Sequence, residues 1–214
     1  MILQILIVTS VEPEKQAIIN GLDGDTRFTV IAAGVGPVAS AANTMKALTG
    51  KSYDLVLNLG IGGGFVGKAE VCSVVVADTI IAADLGAETA EGFRNLEQLQ
   101  LGKSEITCDL TLGRRILTAL QSHGIPTYHG TVLTLSTVTG TAETTEELLK
   151  RFPNAVAEAM EGYGVAYSAN QLRIPVVEIR SISNAIGPRD RSSWKIKEAL
   201  ARLKDVSAVL SEVL

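Results

Sequence analysis

Apolar positions along the chain alternate between short continuous runs and stretches of helical period. Residues 2–8, 28–33 and 53–59 are apolar runs of strand length bounded by polar or turn residues, which predicts buried strands. Between the first two, residues 12–20 have helical spacing, with Pro13 in the first turn, where its missing N–H costs nothing. Gly34-Val35-Gly36-Pro37 predicts a turn, and residues 38–48 an Ala-rich helix stopped by Gly50. The pattern then changes, because residues 71–83 form a long β-type stretch with no helix before it. Further helices are predicted over 110–122, 144–151 and 160–172, with strands over 128–136, 155–158 and 175–183. An amphipathic helix over 193–213 ends the chain.

Strands alternating with helices imply an α/β fold with a mainly parallel sheet covered on both faces. The β-rich middle points to a mixed or strongly curved sheet. We find no repeat, linker or low-complexity tract, and 214 residues suit one domain spanning 1–214.

Composition narrows the classes. Hydrophobic residues make up 46 % and charged residues 20 %, yet no apolar run approaches the roughly 20 residues of a membrane span. The start, Met1-Ile2-Leu3-Gln4-Ile5, has no basic leader, so a cytoplasmic location is expected. A net charge of −4 disfavours general nucleic-acid binding, which needs a basic face. Cys72 and Cys108 lie in apolar segments and are expected to be reduced core thiols. His123 and His129 are the only histidines and have no helix-spaced ligand set, so no metal is expected.

Gly62-Gly63-Gly64-Phe65-Val66-Gly67 spells a dinucleotide fingerprint, with Asp84 about 20 residues on. That reading requires a helix to open at the glycines, and Lys68-Ala69-Glu70 followed by a β-run offers none. Two readings remain. The segment is a tight turn, or glycines such as Gly60 and Gly62 let a small ligand lie against bare backbone. Three polar groups occupy strand or helix ends. Glu161 falls in the first turn of the helix over 160–172, Ser183-Asn184 ends the strand over 175–183, and Glu12-Pro13-Glu14 follows the first strand. Each has a plain structural reading as a helix-start acid or a strand-ending turn. Together they suit recognition of a sugar and a base.

Across most of its length the chain resembles the nucleoside phosphorylase and nucleosidase superfamily, and within it the futalosine hydrolase branch. The resemblance rests on Glu14 after the first strand, Asn58-Leu59-Gly60-Ile61-Gly62-Gly63, Met160-Glu161 after Phe152-Pro153, and Arg180-Ser181-Ile182-Ser183-Asn184 followed by Arg189, Arg191 and Trp194. It implies a three-layer α/β/α fold around a mixed, partly barrel-like sheet. It also implies a small nucleoside ligand, no cofactor and a homo-oligomer. By resemblance, Glu14 activates water, Glu161 accepts from ribose hydroxyls, Met160 packs on the sugar, and Val138 and Thr139 flank the base. Ser183 belongs to the same strand-end site. Asn184 stands where adenine-specific nucleosidases carry the Asp that acts as general acid.

The substitution at Asn184 has a chemical consequence. A 6-oxopurine presents O6, an acceptor that an Asn amide can donate to. A mismatched base leaves a buried group unpaired, at roughly 1–3 kcal/mol, so Asn184 favours hypoxanthine or guanine over adenine. Thr9-Ser10-Val11-Glu12-Pro13-Glu14 lacks the glycine and arginine of a phosphate loop, which favours water over phosphate as nucleophile. The rival classes are a 6-oxopurine nucleoside phosphorylase and a non-catalytic nucleoside-binding protein. For the benzoate that futalosine carries on its 5′ side, Arg189 and Arg191 beside Trp194 are the candidate clamp, with Phe93 and Arg94 as rivals.

Overall fold

The computed structural model describes residues 2–214; Met1, the first residue of the start read above, lies outside them. The first half runs β1 (Ile5–Thr9), α1 (Glu12–Leu22), β2 (Phe28–Ala32), α2 (Pro37–Gly50), β3 (Leu55–Gly64) and β4 (Val74–Ala82). Three short strands follow, β5 (Gly86–Thr89), β6 (Gly92–Asn95) and β7 (Glu105–Thr107). The second half runs α3 (Leu110–Ser122), β8 (Thr127–Thr134), α4 (Ala142–Arg151), β9 (Ala155–Ala159), α5 (Gly162–Gln171), β10 (Val176–Ala185) and α6 (Ile196–Val213). A single 3-10 turn, Arg191–Ser193, precedes α6.

The main sheet has the order β10-β4-β8-β9-β3-β1-β2, and β10 also pairs with β3. That extra pairing closes β10, β4, β8, β9 and β3 into a ring, from which β1 and β2 extend as an open wing. The ring is mixed. β3 with β10, β4 with β8 and β8 with β9 are parallel, whereas β4 with β10 and β3 with β9 are antiparallel. This is the mixed, partly barrel-like sheet that the resemblance implied.

Alternation along the strands builds the layers. Ile5 and Ile7 of β1 pack with Ile18 of α1, Ile116 of α3 and Leu203 of α6, while Leu6 and Val8 pack with Leu48 of α2 and Val165 of α5. Period-two geometry sends neighbours to opposite faces, so a strand covered on both sides becomes a continuous apolar run. Burying each such side chain contributes roughly 1.5–3 kcal/mol. No helix among the described residues is long and apolar enough to cross a membrane.

Several expectations are corrected. The glycine segment is a turn only at its far end, over 66–68, since Gly60–Gly64 continue β3 and pair with Arg180–Ala185 of β10. Ser183-Asn184 likewise lies within a strand, at a bulge between Ile182 and Asn184. Glu161 is the N-cap residue before α5, not part of its first turn, and the last helix starts at Ile196, behind the 3-10 turn. The β5–β6 hairpin was not anticipated. Its residues alternate between exposed and half-buried and pair only with each other, so they show no core signal. Cys108 is buried, and burial pushes its thiol up to about 12, whereas Cys72 is only half-buried.

Candidate active site

The carboxyl ends of β1, β8, β9 and β10 and the glycine end of β3 open on one cleft of about 200 Å³. Strand ends in such sheets carry ligands because loops and helix starts supply unpaired polar groups there.

Glu14 enters the cleft from the first turn of α1 and is almost fully buried. Its Oε2 accepts from Ser10 Oγ at 2.7 Å, Ser10 N at 3.0 Å and Val11 N at 3.3 Å. The reach back to the N-cap N–H is half of a capping box, so the local sequence itself orients the carboxylate. Oε1 accepts from Ile61 N at 2.9 Å, which ties the helix to β3. Gly60 sits beneath this contact and does not line the cleft. A Cβ there would lie 2.5 Å from Arg180 Nη1 and 3.0 Å from Glu14 Oε1, so only glycine leaves room for both.

Glu161 is buried at the start of α5. Oε1 accepts from Gly36 N at 3.2 Å, and Oε2 lies 3.5 Å from Arg180 Nη1. Gly36 has φ +89°, a left-handed conformation that glycine adopts without strain, and it turns its N–H onto the carboxylate. Met160 lies beside Glu161 on the cleft wall.

Arg180 lies beneath both acids. It is fully buried, donates from Nε to Glu178 Oε1 at 2.7 Å and from Nη1 to Ile61 O at 3.4 Å. Burial works against its charge, but the carboxylates of Glu178, Glu161 and Glu14 outweigh that cost and hold the guanidinium protonated. The sequence motif contained Arg180 without assigning it a task, and Glu178 was missed. Opposite charges two apart in an apolar strand were the available signal, since they share a face and survive burial only as a pair.

At the other end lie Val138, Thr139, Gly62, Ser183 and Asn184. Adjacent strand residues normally point to opposite faces; the bulge at Ser183 lets both it and Asn184 border the cleft. Asn184 Oδ1 accepts from Ser183 Oγ at 2.8 Å, and Nδ2 donates to Ala185 O at 3.0 Å. Glu158, also missed, lines the same end. Its Oε1 accepts from Thr139 N at 3.0 Å, and its Oε2 is 2.5 Å from Thr139 Oγ1. Burial raises its pKa, against the pull of the Thr139 hydrogen bonds.

Arg189 lines the cleft at this second end, where its N–H donates to Gly140 O at 3.1 Å and its guanidinium stacks 4.9 Å from the Trp194 ring. Arg191 is exposed, with its guanidinium 5.9 Å from the Trp194 ring, and does not line the cleft. Phe93 and Arg94 sit on the β5–β6 hairpin away from it, with Phe93 stacked under Arg151. Asp84 accepts from Ser136 N at 2.7 Å, a loop anchor and not a ribose partner.

A larger groove of about 660 Å³ opens at the amino ends of β8 and β9. It holds His129, 3.9 Å from Asp78, but its cations are occupied: Lys68 bonds Pro153 O, and Arg151 bonds Ala83 O and Glu147.

A ring-closed mixed sheet whose strand ends present two buried acids and an amide is the architecture that the resemblance to the nucleoside phosphorylase and nucleosidase superfamily implied. The family model described as Phosphorylase superfamily matches residues 3–214. The chain is 50 % identical over 192 residues to futalosine hydrolase of Streptomyces coelicolor, covering 87 % of this chain and 80 % of that one. It is 40 % identical over 218 residues to futalosine hydrolase of Acidothermus cellulolyticus, covering 96 % and 89 %. The solved futalosine hydrolase of Helicobacter pylori superposes with a TM-score of 0.86 at 19 % identity, over 99 % of both chains, and so shares the fold. The chain belongs to the futalosine hydrolase family of the phosphorylase superfamily.

Proposed function

We propose that this chain hydrolyses the N-glycosidic bond of futalosine, releasing hypoxanthine and dehypoxanthine futalosine, as a step of menaquinone biosynthesis. The observation that carries the reading is the pair of buried carboxylates, Glu14 and Glu161, facing one cleft above Arg180. Glu161 accepts from the ribose hydroxyls, and Met160 covers the sugar. Glu14, fixed by its four donors, orients water and takes its proton as the sugar carbon gains oxocarbenium character. Water is favoured over phosphate by the charge of the cleft. Of the charged side chains lining it, Glu14, Glu158 and Glu161 are acids, and Arg189 alone is cationic, at the opposite end from Glu14.

Asn184 selects the base. Its amide donates to O6 or N7 of hypoxanthine and turns from Ala185 O to do so. Asn184→Asp is expected to shift the ratio of kcat/KM for adenosine over inosine upward by about 10-fold or more, the worth of one buried hydrogen bond. Chromatography of the bases released from futalosine, inosine and adenosine reads both this ratio and the native preference. An unchanged ratio removes Asn184 from base recognition. Adenosine as the best substrate of the unmodified enzyme contradicts the 6-oxopurine reading.

Arg189 acts at the base end beside Thr139, not at the benzoate. Arg189→Ala is therefore expected to lower kcat/KM for futalosine and inosine by the same factor, and selective loss on futalosine would restore the carboxylate clamp. The chain works as a cytoplasmic homo-oligomer. An apolar groove between α2 and α5, lined by Val38, Leu85 and Tyr167, leaves Val38 82 % exposed, and a second copy would cover it. Sedimentation is expected to show a species heavier than one 22.6 kDa chain.

A further inference from the structure

Glu158 is the one acid of the cleft to which hydrolysis, as set out above, gives no task. It sits 4 % exposed on β9 between Ala157 and Ala159. Its side chain and the Asn184 amide converge over Gly63, where a Cβ would lie 3.5 Å from Glu158 Cγ and 3.4 Å from Asn184 Nδ2. Both its oxygens accept from Thr139, through the backbone N–H and the hydroxyl, and Thr139 itself lines the cleft. No cation among the described residues pairs with it, for Arg180 is held by Glu178 and Glu161, and Arg189 stacks on Trp194.

The leaving purine requires a proton. When the bond from the sugar carbon to N9 breaks, its electron pair goes to the base, and a bare purine anion is a poor leaving group. Asn184 can hydrogen-bond to the base, but an amide gives up no proton at neutral pH. We infer that Glu158, acting through the hydroxyl of Thr139, supplies the proton that the purine takes at N7 as it departs. This rests on the proposed hydrolase reading and deepens it.

The atoms balance. Thr139 Oγ1 donates to Glu158 Oε2 at 2.5 Å when Glu158 is a carboxylate. Protonation of Oε2 reverses this bond, and the carboxyl proton then moves to Thr139 Oγ1 as the Thr139 hydroxyl proton moves to N7. Glu158 is left as a carboxylate that keeps the Thr139 N–H as a donor. Water gives its oxygen to the sugar carbon and its proton to Glu14. Exchange with solvent then removes the proton from Glu14 and returns one to Glu158. Burial, which pushes the Glu158 carboxyl up, keeps it protonated closer to neutral pH than an ordinary glutamate. The arrangement supplies the acid that an Asn at position 184 cannot be.

A substrate whose base leaves without needing a proton separates this role from a structural one. Futalosine methylated at N7 is such a substrate, since its base departs neutral. For Glu158→Gln and Thr139→Val, kcat on futalosine is expected to fall by about 100-fold or more, but by less than about threefold on the N7-methylated substrate. Thr139→Ser, which keeps the hydroxyl, is expected to retain turnover on both, and this pair of Thr139 variants decides the matter if Glu158→Gln does not fold. A parallel loss on both substrates overturns the proposal, because Glu158 and Thr139 would then only hold the loop. So would unchanged turnover of futalosine in both variants. Failure of the unmodified enzyme to release a base from either substrate overturns the hydrolase reading, and this role with it.

Discussion

Replacing Glu14 by Gln is expected to lower kcat on futalosine by about 10²–10⁴-fold, the range typical of a lost general base, and to leave affinity for a product analogue nearly unchanged. The glutamine fits the space, but it cannot take the proton of the attacking water. Oε2 of the native residue faces Ser10 N, Ser10 Oγ and Val11 N, and Oε1 faces Ile61 N. Whichever way the amide is turned, its NH₂ meets an N–H donor. A local cost of roughly 1–3 kcal/mol therefore accompanies the loss of chemistry. Thermal unfolding measured beside kcat separates the two effects. Near-normal turnover would remove Glu14 from water activation.

The second large effect concerns stability. Arg180→Met is expected to destabilise the fold by roughly 3–5 kcal/mol, because it leaves Glu178 and Glu161 buried without their cation. Glu178 is 0 % exposed and cannot recover its hydration without opening the packing of β10 against β3, while Glu161 is 5 % exposed at the cleft wall. Urea unfolding reads the change, and a loss below about 1 kcal/mol would show that the acids were not relying on Arg180. Arg180→Lys is expected to recover only part of the loss, since one ammonium cannot reproduce the separate Nε bond to Glu178 and Nη1 approach to Glu161.

The core was legible because its strands are covered on both faces, which turns most of β1 and the starts of β3 and β4 into short apolar runs. Glu14 and Glu161 were legible because acids at helix starts after apolar strands are conspicuous. The continuation of β3 through its glycines was not. Glycine has low strand propensity, and the pairing that holds Gly60–Gly64 extended comes from β10, more than a hundred residues later. The same distance hid Arg180, whose charge is held by Glu14 and Glu161 from two other points in the chain and by Glu178 from its own strand. Glu158 was overlooked because an acid at the end of a five-residue strand looks like an exposed terminus, whereas Thr139 and Gly63 enclose it. The expected benzoate clamp placed Arg189 and Arg191 together by sequence proximity. Both guanidiniums approach Trp194, but only Arg189 lines the cleft.

The central claim is that water, activated at Glu14, breaks the glycosidic bond. Turnover of futalosine with and without inorganic phosphate, with both products resolved by mass, tests it most directly. The account predicts release of hypoxanthine at a rate unaffected by phosphate, together with a sugar product that has gained the elements of water. A requirement for phosphate and the appearance of a sugar 1-phosphate would contradict it.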